Sequence, residues 1–235
     1  MRVETSTGEK DILNATRDVK ESDRACESSD TMRIFRTAFL AIIIISSMAS
    51  SSWADLKEAL EAYYENRYGV ALQEFQPLAE EGVAEAQFYL GVMYAKGRGV
   101  PQNYTEAVRW YRLVAEHGFV KAMSNLGSMY SKGNGLPKDY ALALRWYQEA
   151  ADQDLPEAQY NLGVMYKEGK GVPRDLVKAH MWFNLSAGQG YEDADRARVL
   201  VARMMTPEEI AQGQRLAREW RDKKEGCSQA TSPCP

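Results

Sequence analysis

The sequence predicts an all-α fold: an α/α superhelical solenoid of stacked two-helix repeats of 36 residues, with capping helices at both ends. Three observations predict it. The chain repeats itself at one fixed offset, each period carries apolar residues at helical spacing, and each closes on a turn of the form Gly-x-Gly-Leu/Val-Pro. Composition sets the outer bounds. At 235 residues, 45% hydrophobic and 26% charged, the chain has the make-up of an ordinary soluble globular protein. A formal net charge of −4 argues against a nucleic-acid binder held by a broad basic surface. Only two histidines, His117 and His180, occur, which disfavours a His-rich zinc site or a Ser-His-Asp enzyme.

Residues 1–31 are polar and charged without a sustained apolar period, and are expected to be disordered or an upstream extension. Residues 32–54 have the three parts of a secretory signal: Arg33 and Arg36, an apolar run from Ala38 to Ile45, and small residues ending at Ala54. Cleavage is expected between Ala54 and Asp55. Met32 then serves as the initiator. The other reading is an uncleaved inner-membrane anchor with residues 1–31 cytoplasmic. Both place residues 55–235 outside the cytoplasm, periplasmic or secreted. Export leaves Cys227 and Cys234, which either bridge locally or remain two unpaired thiols in a polar tail.

A capping helix is expected over residues 55–67, starting at Leu56 and Ala59. Repeats follow at 68–103, 104–139 and 140–175, with a degenerate fourth at 176–205. Ala86, Leu90-Gly91, Tyr94, Gly97, Gly99 and Pro101 return at Ala122, Leu126-Gly127, Tyr130, Gly133, Gly135 and Pro137. They return again at Ala158, Leu162-Gly163, Tyr166, Gly169, Gly171 and Pro173. Tyr104, Ala107, Val108, Tyr111 and Ala115 mark one face of a first helix, and Gly118 ends it. Ala122, Leu126 and Tyr130 mark the second, which Gly133 stops. A glycine inside that second helix costs about 1 kcal/mol relative to alanine. Its recurrence predicts a close helix approach, with the Trp-Tyr pair of the partner helix filling the space opposite. Thr206-Pro207-Glu208-Glu209 is a capping box opening a last helix over 206–224, which Ile210, Leu216, Ala217 and Trp220 hold down. Residues 225–235 are expected to be a flexible tail.

Ala-x-x-x-Leu-Gly-x-x-Tyr-x-x-Gly-x-Gly-Val-Pro, joined to Tyr-x-x-Ala-x-x-Trp-Tyr-x-x-Ala-Ala, resembles the Sel1-like repeat (SLR) family, relatives of tetratricopeptide repeats. The resemblance covers about residues 68–203. Asp154 departs from it where Gly82, Gly118 and Gly190 stand, and so do Val199 and Ala202 in the last unit, which reads as a terminal cap. The resemblance implies an adaptor or regulator in signalling, envelope assembly, secretion or host interaction. Some exported, cysteine-rich relatives are associated with β-lactam hydrolysis, but residues 55–226 lack the repeat cysteines of that group.

Chemistry is sparse. Gly97-Arg98-Gly99 follows a helix rather than a strand, unlike a dinucleotide fingerprint. His117 suits the C-terminal end of a helix, and His180 has no second ligand at metal spacing. Glu80-Glu81 and Glu208-Glu209 read as solvated faces, and Ser124, Ser128 and Ser131 have no activating base beside them. Asn103-Tyr104-Thr105 and Asn184-Leu185-Ser186 fit glycosylation sequons. Neither a cofactor, a metal nor a catalytic residue is expected.

What remains is surface. Positions that vary while the scaffold repeats are Arg109, Arg145 and Met181, then Arg112, Gln148 and Asn184, on the first helices. On the second helices they are Phe88, Ser124 and Tyr160. Phe88, Arg109, Arg112, Arg145, Gln148 and Tyr160 are therefore the expected protein-binding residues, suited to an acidic or extended segment of an envelope or secreted protein. Aromatics at Phe88 and Tyr160 also fit a glycan-binding envelope module.

Overall fold

Helices follow one another in antiparallel pairs. In this computed structural model residues 55–229 are described, with side chains to residue 226. The helices are α1 (residues 55–64), α2 (Tyr68–Glu80), α3 (Ala84–Lys96), α4 (Tyr104–Ala115) and α5 (Val120–Lys132). Then come α6 (Tyr140–Ala151), α7 (Pro156–Glu168), α8 (Leu176–Gly188), α9 (Glu192–Ala202) and α10 (Pro207–Gln229). No strand occurs among the described residues. From α2 to α9 each helix packs on the next, and this makes the row of paired helices an α/α solenoid. The signal segment, Ala54 and Cys234 lie outside the described residues, as does the side chain of Cys227.

The period is visible in the core. Ala71, Ala107, Ala143 and Ala179 are fully buried on the first helices, and Ala86, Ala122, Ala158 and Ala194 on the second. An aromatic follows four residues after each first-helix alanine: Phe75, Tyr111, Tyr147 and Phe183, all buried. These rings explain the glycines inside the second helices. A Cβ at Gly91 would lie 2.7 Å from the Tyr111 ring, one at Gly127 2.8 Å from Tyr147, and one at Gly163 2.5 Å from Phe183. The helical cost of glycine is accepted so that the next unit's ring can lie flat on the backbone.

The connections repeat as strictly. Asn103, Asp139 and Asp175 cap α4, α6 and α8, each side chain accepting from the backbone N–H three residues on, at 3.1, 2.9 and 2.9 Å. In the Gly-x-Gly turn the first glycine is the left-handed cap. The second is pressed against the start of the same unit's first helix: a Cβ on Gly99 would stand 2.7 Å from the Tyr68 carbonyl oxygen, one on Gly171 2.6 Å from that of Tyr140. Gln87 and Gln159 tie the pair together at the other edge, donating to the carbonyls of Ala79 (2.8 Å) and Ala151 (3.4 Å) at the ends of α2 and α6.

Asp154 takes φ +62° where Gly82, Gly118 and Gly190 have +91°, +91° and +85°. The left-handed region costs an L-residue roughly 1–2 kcal/mol, least for Asp and Asn. Asp154 regains part of it through Lys224 of α10, whose ammonium lies 2.8 Å from its carboxylate and also donates to the Asp152 carbonyl. Such an exposed pair contributes about 0–1 kcal/mol. Asp154→Gly is therefore expected to raise stability by about 0.5–1 kcal/mol, and Asp154→Ala to lower it by about 1 kcal/mol. The urea midpoints of the two variants, taken in opposite directions from the parent, check this.

The capping box forms as expected: Glu209 accepts from the Thr206 N–H at 2.8 Å and Thr206 Oγ from the Glu209 N–H at 3.3 Å. The helix that it opens does not stop at residue 224. It runs to Gln229, because Lys223, Lys224 and Glu225 are good helix formers and one Gly226 is too small a penalty to end it. Residues 225–229 are thus helix rather than tail. α10 packs along α8, where Trp220 meets Trp182 edge-to-face at 5.9 Å and Gly213 lets the backbones approach.

Candidate functional site

Four of the six expected binding residues share the outward side of the first helices. Arg109 and Arg112 lie on α4 and Arg145 and Gln148 on α6, one repeat apart. None carries an unengaged group. Arg109 pairs with Glu106 at 2.9 Å and lies 4.2 Å from the centre of the Trp110 ring. Arg145 pairs with Glu149 at 2.9 Å, Gln148 donates to Asp152 at 3.0 Å, and Arg112 donates to the Tyr130 hydroxyl at 3.3 Å. These contacts are local and solvent-exposed, so each is worth at most about 1 kcal/mol and is readily exchanged for a partner's carboxylate.

Arg109 and Arg112 come together at a groove of about 470 Å³ between α4 and the turn after α5. Val108, Leu113 and Leu136 supply its apolar lining, and Glu116 is its one carboxylate. Leu113 is exposed on this side. An apolar side chain flanked by a carboxylate fits such a surface.

Phe88 and Ser124 are not surface, and Tyr160 is only partly so. Phe88 is 9% exposed and Ser124 1%, while Tyr160 is half-buried. Each second helix before α9 lies between two first helices, that of its own unit and that of the next, so more than one of its faces is covered. Phe88 packs on Tyr111 and Phe119, its ring centre 5.0 Å from that of Phe119, and Tyr160 packs on Phe183 and Tyr191 at 5.6 and 5.4 Å. This removes Phe88 as a protein-contact residue and, with it, one of the two aromatics that a glycan platform would use.

Of the histidines, His117 is exposed at the end of α4, its Nδ1 2.7 Å from the Leu113 carbonyl. His180 is buried on α8, and its Nδ1 has no hydrogen-bond partner. A Cβ on Gly213 of α10 would lie 2.9 Å from that nitrogen, so it faces the α10 backbone. Burial, with the positive Arg198 of α9 nearby, holds the imidazole below the ordinary histidine range. The other polar groups around it, Arg203 and Gln214, bring no negative charge. The unfolded chain takes up a proton near pH 6.5, before the folded chain does. The stability that His180 contributes is therefore complete above that pH and declines as pH falls toward the lower folded value. His180→Gln is expected to flatten the fall in urea midpoint between pH 7.5 and 5. An unchanged slope would place the pH dependence elsewhere.

The sequons differ in setting. Asn103 uses its side chain as a helix cap, and Ser186 is buried, donating to the Pro156 carbonyl at 2.7 Å. Among the described residues no three His, Cys, Asp or Glu side chains gather as a metal site, and no helix is long and apolar enough to cross a membrane.

The sequence model of the Sel1 repeat matches three consecutive segments, residues 84–119, 120–155 and 156–191. It is phased from the second helix of one pair to the first helix of the next. No curated protein matches the chain. Among solved structures the chain is similar to a Sel1 repeat protein from Oxalobacter formigenes, at 33% identity and a TM-score of 0.56, over 61% of this chain and 59% of that one. It is also similar to a protective antigen present in uropathogenic Escherichia coli strains that displays an SLR fold. There the identity is 31% and the TM-score 0.62, over 77% of this chain and 40% of the antigen. The chain thus spans less than two thirds of either protein's length.

Proposed function

Residues 84–191 belong to the Sel1 repeat family, and from that premise we propose that the chain is an exported, non-enzymatic scaffold that binds another envelope or secreted protein. Sel1 repeat proteins are generally protein-interaction scaffolds, which supports the class of role. The observation that carries the reading is the α4 groove. It sets Arg109 and Arg112 around an apolar floor, and Arg145 and Gln148 continue the same side one repeat on. The partner is an acidic or extended segment whose carboxylates replace Glu106 and Glu149 as counter-charges while its apolar side chain enters between Val108, Leu113 and Leu136.

Export rests on residues 32–54, with periplasmic or secreted delivery after cleavage at Ala54. The membrane takes part only through the signal or anchor. N-terminal sequencing of the protein recovered from the periplasmic fraction tests this, and a chain that begins at Asp55 supports cleavage.

The binding surface is tested by crosslinking in intact cells, followed by mass spectrometry, with the parent and an Arg109→Glu/Arg145→Glu double variant. Loss of a defined partner from the variant, at unchanged expression and helix content, is expected. An unchanged partner set removes this surface. Turnover of a β-lactam by the purified chain, abolished by a point substitution, would overturn the non-enzymatic reading.

A further inference from the structure

Each second helix before α9 is covered on its outer side by the first helix of the following unit: α3 by α4, α5 by α6 and α7 by α8. α9 breaks the pattern. The helix that follows it, α10, packs along α8 instead. One position departs from the repeat here. Gly91, Gly127 and Gly163 each make room for an aromatic ring, whereas the equivalent position in α9 is Val199, whose side chain stands largely exposed.

Among the described residues no helix covers the outer side of α9. Val199, Leu200 and Met204 are 44, 59 and 55% exposed, and they are three of the five large apolar side chains so exposed among the described residues. Beside them a groove of about 430 Å³ runs between α9 and α10. Val199, Ala202 and Ile210 give it an apolar lining, and its remaining walls are Arg198, Arg203, Gln214 and His180, with no carboxylate. Arg198 pairs with Asp195 through Nη2 at 2.6 Å, but its Nε is buried without a partner. Arg203 has no ion pair or hydrogen bond from its side chain among the described residues. An exposed apolar patch beside a groove whose charged lining residues are both arginines has the make-up of a docking site rather than of a solvated cap.

We propose that the groove between α9 and α10 docks an amphipathic helix of a partner protein, one that carries acidic side chains beside its apolar ridge. The helical form follows from the role of this face in the earlier units, where a helix always covers it. The acidic character follows from charge: Arg203 stands on the rim without a counter-charge among the described residues, and Arg198, although paired with Asp195, keeps its Nε without a partner. The proposal shares the scaffold reading given above but uses a different surface. Failure of the Arg109/Arg145 test leaves it standing, and its own failure leaves the α4 groove untouched.

A phage-displayed library of random 16-residue segments, selected on the full chain, tests it, with Arg203→Glu and Leu200→Gln as separate exposed-site variants. Enrichment of segments that place Asp or Glu beside Leu, Ile or Val at helical spacing is expected. Their binding should weaken about tenfold or more in Arg203→Glu and also fall in Leu200→Gln. Unchanged thermal melting of both variants separates lost docking from lost folding. No enrichment, enrichment of basic segments, or binding indifferent to both substitutions would overturn the proposal. So would co-sedimentation with phosphatidylglycerol vesicles that depends on Arg203 and Leu200, which would assign the face to a membrane surface instead.

Discussion

Phe183→Ala is expected to lower the stability of the chain by about 3–5 kcal/mol. Phe183 is fully buried and stands where three elements meet. Its ring lies on Gly163 of α7, touches Tyr160, and forms one core cluster with Ala179 and Val201. Removing the ring leaves a cavity that the surroundings close only in part, because backbone rather than flexible side chain lines one side. A loss of this size is a large fraction of the total for a chain held by about 5–15 kcal/mol. Urea unfolding followed by helical circular dichroism measures it. A loss under about 1 kcal/mol would mean that α8 does not depend on α7 for its packing.

Gly127→Ala is expected to lower stability by about 1–3 kcal/mol, the reverse of what helix propensity alone would give. Alanine improves the helix by about 1 kcal/mol, but its Cβ would lie 2.8 Å from the Tyr147 ring. The ring has little freedom to move aside, since Tyr147 is buried and its hydroxyl lies beside Ser128 and Ser131. The same substitution made together with Tyr147→Ala should be neutral or stabilising, because the methyl group enters space that the ring has vacated. That double-mutant cycle isolates the contact. Additive effects would show that the glycine is there for a different reason.

Much of the fold was legible because the units are near copies of one another. A residue that recurs in every unit at one phase must meet the same neighbour each time. The interior glycine and its opposing aromatic could therefore be paired before any coordinates were seen. The caps Asn103, Asp139 and Asp175 stand at the same period and are equally legible in the sequence. The second helices were harder. A single apolar stripe assigns a helix one buried face, whereas these helices are packed on more than one, which is why Phe88 and Ser124 are buried rather than exposed. A finer signal was present: Phe88 and Tyr160 each have an aromatic 31 residues on, Phe119 and Tyr191, while the small Ser124 has Leu155 there. Large residues pair with large ones across that offset.

The candidate site was legible only as a set of varying positions. Sequence placed Arg109, Arg112, Arg145 and Gln148 on one side of the first helices. It could not show that Glu106 and Glu149 already engage the arginines, or that Leu113 and Leu136 share a groove with Arg109. The open face of α9 was hidden for a related reason. The change from glycine to Val199 announces a different unit, but where α10 then goes depends on the fit of Gly213 against His180 in three dimensions.

Nearest-neighbour support is the premise beneath all of this: a helix pair has no sufficient core of its own and is held by the pair beside it. Equilibrium urea unfolding of three species tests it most directly: the full chain, the chain lacking residues 120–155, and the 120–155 segment alone. The isolated segment should show no cooperative transition, and the shortened chain should unfold cooperatively at a lower midpoint than its parent. A segment that melts cooperatively by itself with native helix content, or a deletion that leaves the midpoint where it was, would contradict the account.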